Sequence, residues 1–207
     1  MKVKQQISNY VARLSKRKNS ETVFNPYRSK ALAGNLEIYL NYIFSQSGDN
    51  ILLIGEAPGY KGCRLTGIPF SSGALINAKQ HRIFSDIADD IVLKKVELEN
   101  SASAVWESLS DVKRYPLFWN AFPFHPHPKG DSNKNRAPNK QEMIEGEVYL
   151  SALAEIFAPT TIAGIGRKGE LAGKQVFPEN DVVYIRHPSY GGKKEFIVGM
   201  ERVLGSS

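Results

Sequence analysis

Three stretches of this sequence hold residue types that could work on a bound ligand. They are GEAPGYKGCRLTGIPFSS at 55–72, LFWNAF at 117–122 with its single polar residue Asn120, and RHPSYGG at 186–192. Gly55, Gly59, Gly62 and Gly67 suit a tight strand-to-helix loop or a phosphate cradle, yet there is no Lys-Ser/Thr pair of a P-loop and no GxGxxG spacing. Asn120 brings an amide donor and acceptor, and His187 an imidazole that can donate, accept or titrate. Taken singly, each is equally at home as a hydrogen-bonded structural residue. His125 and His127, two apart in HPHP, suggest half of a metal site, but no third Cys or His ligand stands near them.

The elements around these stretches give them meaning. Ile51–Ile54 (ILLI), stopped by Gly55, reads as a short, fully buried parallel strand. Leu117–Phe122, Thr160–Ile165 and Asp181–Ile185 predict three more. Apolar spacing predicts helices over 5–17 (Ile7, Val11, Leu14), over 36–44, and over 73–92 (Ala74, Leu75, Ala78, Ile83, Ile87, Ile91). Asn139 reads as an N-cap with Glu142 at the capping-box position, opening a helix that ends near Phe157. A short helix is expected near 168–174. HPHPKGDSNKNRAP, at 125–138, is too rich in Pro, Gly, Asn and Ser to form an element. Strands alternating with helices imply an α/β fold, a three-layer α/β/α sandwich around a mostly parallel four-stranded sheet. Ligands in such sheets bind beyond the carboxyl ends of the strands, where all three stretches lie.

With 207 residues, 42% hydrophobic and 23% charged, the chain fits one domain spanning 1–207. No apolar run approaches the ~18 residues of a membrane span, and the N-terminus lacks a signal-peptide core, so a cytoplasmic location is expected. The one cysteine, Cys63, can make neither an internal disulfide nor a typical four-cysteine iron–sulfur site. The net charge of +6 concentrates at residues 1–30, which hold eight Lys and Arg against one acid, Glu21. That density suits a polyanion, or simply a solubilising surface.

The stretch Gly55–Phe70 resembles the first motif of uracil-DNA glycosylases, especially the bacterial and archaeal subfamilies that begin GEAPG and close with glycine-x-proline-phenylalanine. His187-Pro188-Ser189 resembles their HPS/HPA loop after the last strand. Asn120 stands where that superfamily places its base-reading asparagine, and NKNRAP is similar to its GNRxP segment. The resemblance spans positions from about 50 to 192. It implies a monofunctional enzyme that flips uracil or another deaminated base out of DNA and hydrolyses the N-glycosidic bond without metal or cofactor. No lysine occupies a motif position suited to a Schiff base, so strand nicking is not expected.

Excising uracil needs a surface that stacks on the base, a reader of its imide edge, and a stabiliser for the charge that the leaving pyrimidine acquires. By the resemblance, Phe70 stacks, and Asn120 complements O4 and N3–H, where cytosine presents the inverse pattern. His187 donates to O2, a contribution of about 3 kcal/mol to the barrier. Gly55, Ala57, Pro58 and Gly59 would line the base. Tyr190 would wedge into the duplex, and Ser71, Ser72, Ser189, Lys129 and Arg136 would contact phosphates, if their polarity is more than that of ordinary loops.

The sequence also departs from the pattern. Ala57 replaces the water-activating aspartate of the efficient branch, which leaves Glu56 as the nearest carboxylate, equally able to bind backbone N–H groups. Gly59 replaces the tyrosine that bars the thymine methyl there, so a broader substrate range is expected. The acid that one GEAPG subfamily carries soon afterwards gives way to Tyr60, Lys61 and Gly62, and that subfamily's cluster cysteines are missing. Two other readings stay open: a non-catalytic, damaged-DNA-binding relative, and an N-glycosidase of free nucleosides or nucleotides. DNA is the expected partner, and a monomer the expected state.

Overall fold

The computed structural model describes residues 2–110 and 112–205. Along the chain the elements are α1 (Lys2–Lys16), β1 (Val23–Phe24), α2 (Lys30–Ser45), β2 (Ile51–Gly55), α3 (Cys63–Thr66), α4 (Gly73–Ala78), α5 (Arg82–Ile87) and α6 (Asn100–Glu107). After these come β3 (Leu117–Asn120), β4 (His125–Pro126), α7 (Lys140–Phe157), β5 (Thr161–Ile165), α8 (Arg167–Val176), β6 (Val182–Ile185) and α9 (Lys193–Leu204).

The four apolar runs pair into one wholly parallel sheet in the order β3-β2-β5-β6. Helices cover it, so β2 and β3 are buried at every position, which is why they lack an alternating pattern. Helix α8 packs on β2, β5 and β6, α7 on β3, and α9 on β6. Two glycines let helix backbones close on strand backbones: a methyl group at Gly169 would overlap the Ile54 carbonyl oxygen, and one at Gly146 that of Ala121. These contacts fix α8 and α7 against the carboxyl ends of β2 and β3. Helix α1 buries Ile7, Tyr10, Val11 and Leu14 against α2 and α7 and leaves its basic residues outside.

Asn139 and Glu142 form the expected capping box, with reciprocal bonds of 2.9 and 2.8 Å. Elsewhere the structure corrects the sequence reading. The helix expected over 73–92 is broken: Lys79, in the left-handed region at φ 52°, ends α4, and α5 gives way to a 3-10 turn at Ala88–Asp90. Helix α6 was not foreseen. The 125–138 loop does contain an element, because His125–Pro126 pairs antiparallel with Val23–Phe24. Asn120 ends its strand rather than interrupting it, although the Ala121 and Phe122 amides still donate to the Gly55 and Glu56 carbonyls, at 2.8 and 3.0 Å. Among the described residues no helix is long and apolar enough to cross a membrane.

Candidate active site

The carboxyl ends of β2, β3 and β6 open into a cavity of about 290 Å³. It is lined by Glu56, Ala57, Pro58, Gly59, Cys63, Phe70, Glu99, Ser101, Asn120, Asn135, Arg136, Ala137, His187, Ser189 and Tyr190. A larger cleft of about 970 Å³ lies at the opposite end of β2, around Ile51 and Pro116. None of the three motif loops reaches it, and in a parallel α/β sheet the carboxyl ends are the ligand side.

Phe70 forms one wall. Its ring lies so close to Gly55 that a methyl group there would overlap it, and it tilts at 41° against Phe118 with ring centres 5.2 Å apart. The residue adopts φ 52°, a left-handed conformation that costs a non-glycine residue about 1–2 kcal/mol. The indole N–H of Trp106 holds it there by donating to the Phe70 carbonyl at 2.7 Å. Strain retained beside a cavity marks a position that the surroundings over-determine.

Asn120 is only 4% exposed, yet no described residue hydrogen-bonds its carboxamide. It lies beside Phe70 and lines the cavity, so its donor and acceptor are free for a ligand. His187 is held differently. Its Nδ1 accepts the Ser189 amide at 3.2 Å, which puts the hydrogen of the neutral ring on Nε2. Burial, helped by the charge of Arg186, lowers its pKa and keeps the ring neutral. The cavity therefore contains an uncommitted amide, an aromatic face and a neutral N–H donor.

Two carboxyls join them. Burial raises the pKa of Glu56, with Lys168 opposing. Glu99, just before α6, went unnoticed in the sequence; it is half-buried at the cavity, and burial pushes its carboxyl up to about 7. Nothing local signals it, since it belongs to no motif and precedes a helix that the periodicity did not show.

The 125–138 loop straps the first motif in place. His125 sets Nδ1 2.8 Å from the Pro58 carbonyl oxygen and Nε2 3.1 Å from that of Ser132, so its ring staples two loops. Asn135 accepts the Tyr60 amide at 2.9 Å, and Arg64 donates to Asn133 at 3.1 Å. Among the described residues no group of three or more His, Cys, Asp or Glu could hold a metal.

Some expected contacts are spent internally. Ser71 and Ser72 are fully buried: the Ser71 hydroxyl bonds Thr66 and the Ile68 carbonyl, and Ser72 caps α4. Neither hydroxyl can meet a phosphate. Arg136 grips the Glu142 carboxylate with two bonds of 2.7 and 2.9 Å, which makes it a structural partner of the capping box. Lys129 is exposed, pairs with Glu21 at 2.8 Å and is not among the residues lining the cavity. Ser189 and Tyr190 do line it, and Tyr190, at φ 53°, is 98% exposed.

Fold and cavity together define a small α/β/α protein with a cavity at the carboxyl ends of its parallel strands. The chain belongs to the uracil DNA glycosylase superfamily, whose family model matches residues 43–196. Among solved structures it is similar to the crystal structure of wild-type Pedobacter heparinus SMUG2, with a TM-score of 0.62 and 17% identity over 97% of this chain and 99% of that one. A comparison with curated proteins finds no match.

Proposed function

We propose that this protein is a monofunctional DNA glycosylase that takes uracil, or another deaminated base, flipped from DNA into the 290 Å³ cavity, and hydrolyses its bond to the sugar. The observation that carries the reading is Asn120, a buried amide without a protein partner, set beside the Phe70 ring. Its acceptor takes N3–H and its donor O4, a pairing that cytosine would reverse. As the C1′–N1 bond breaks, its electron pair passes to the base, and the Nε2–H of His187 stabilises the charge at O2. Water then adds to C1′ and loses a proton, for which Glu56 is the motif's nearest carboxylate. Tyr190 stands at the rim to fill the space that the flipped nucleotide leaves.

Alkali cleavage of labelled oligonucleotides bearing uracil, hypoxanthine, xanthine or thymine tests this reading. Abasic sites at one of these bases, lost in Asn120→Ala and His187→Ala, would bear it out. DNA binding without excision of any base would favour the non-catalytic relative, which the missing motif carboxylate at Ala57 motivates. Hydrolysis of free nucleosides as fast as DNA would point to a nucleosidase.

A further inference from the structure

Neither Gly59 nor Gly62 carries a side chain, and the space beside both is filled from another element. A methyl group built on Gly59 would overlap Oε1 of Glu99, and one on Gly62 would overlap Oε2. The carboxyl of Glu99 thus occupies the volume that first-motif side chains would otherwise take. It lines the cavity, and no described residue hydrogen-bonds it. Its placement is built: α6, which Glu99 precedes, also carries Trp106, whose indole holds Phe70, and Ser101, whose hydroxyl meets that of Ser189 at 3.4 Å.

A pyrimidine that sets O4 and N3–H on Asn120 and O2 toward His187 has one ring edge left, C5–C6. We propose that Glu99 is the specificity-determining residue at that edge, its carboxyl standing where a 5-methyl group would have to go, so that the pocket accepts uracil and refuses thymine. This rests on the glycosylase reading. It also reverses what Gly59 alone suggests: the motif opens the pocket to 5-substituted bases, and a residue 40 positions later closes it. The wall works by shape, so the isosteric glutamine should serve as well as glutamate.

The test is kcat/KM on one duplex carrying either G·U or G·T, for wild type, Glu99→Gln, Glu99→Asp and Glu99→Ala, each first checked by thermal melting. Because single-methyl discriminations run to about 10–200-fold, the thymine-to-uracil ratio should stay low in wild type and Glu99→Gln. It should rise at least tenfold, by the same estimate, in Glu99→Ala, with Glu99→Asp between and sufficient alone if the alanine variant does not fold. Equal excision of both bases by wild type, or an unchanged ratio in a folded Glu99→Ala, overturns the wall while leaving the glycosylase. A folded Glu99→Gln that loses uracil excision about a hundredfold overturns it in favour of water activation by the carboxylate. Failure of wild type to excise either base removes the wall along with the activity it serves.

Discussion

Replacing Glu99 by glutamine should stabilise the protein, and more so as the pH rises. Burial pushes the half-buried carboxyl up to about 7 in the folded chain, against an ordinary 4.5. Because the folded pKa is the raised one, the folded state holds its proton more tightly. Stability is therefore full below pH 4.5 and lost as pH climbs through 7. That difference corresponds to about 3 kcal/mol once the group is fully ionised, and to about 1 kcal/mol at pH 5. Glutamine removes the ionisation. For a chain of this size the glutamine variant should melt roughly 6–12 °C above wild type at pH 8 and roughly 2–4 °C above it at pH 5. Circular dichroism melts at the two pH values measure this directly. Equal melting temperatures at pH 8, or a difference that does not shrink toward pH 5, would refute the placement of that carboxyl in a half-buried site without a hydrogen-bond partner.

Three further outcomes follow from the same geometry. His187→Ala should cut kcat on uracil by about 10²–10³, the usual cost of losing an oxyanion donor; protonation of His187 would keep the Nε2 donor but break the Nδ1 bond to the Ser189 amide that orients the ring, and because burial depresses the His187 pKa, wild-type excision should hold through the ordinary histidine pKa of about 6.5 and fall only below it. Gly55→Ala drives a methyl group into the Phe70 ring and should cost about 1–3 kcal/mol in denaturant unfolding while raising KM. Trp106→Phe removes the bond that pins the left-handed Phe70 and should cost about 1 kcal/mol, read by urea melts, with a loss of kcat/KM larger than that stability change explains.

Much of the site was legible because its signals are local. A β-branched or leucine run stopped by glycine marks a strand end, and a capping box marks a helix start; each is a property of a few consecutive residues. From these alone the four strands and the loops at 55–72 and 186–192 could be placed together at one edge of a parallel sheet, with Asn120 inside the second strand; that the strand ends at Asn120 is seen only in the fold. The helix over 73–92 failed for the complementary reason. Ile76, Ile83, Phe84, Ile87 and Ile91 do reach the core, but in three short pieces, and apolar spacing cannot show a backbone turning between them.

What only the tertiary structure decided is which polar groups remain free. Ser71, Ser72 and Arg136 read as phosphate ligands in sequence, yet their hydrogen bonds are used by Thr66, Ile68, Leu75 and Glu142. Asn120 and Glu99 look no more available, yet the one is buried and the other half-buried at the cavity, both with their side chains unclaimed. Availability depends on every neighbour a folded chain brings within hydrogen-bonding distance. Those neighbours come from elements far apart in sequence, as α6 does when it sets Glu99 beside two glycines of the first motif.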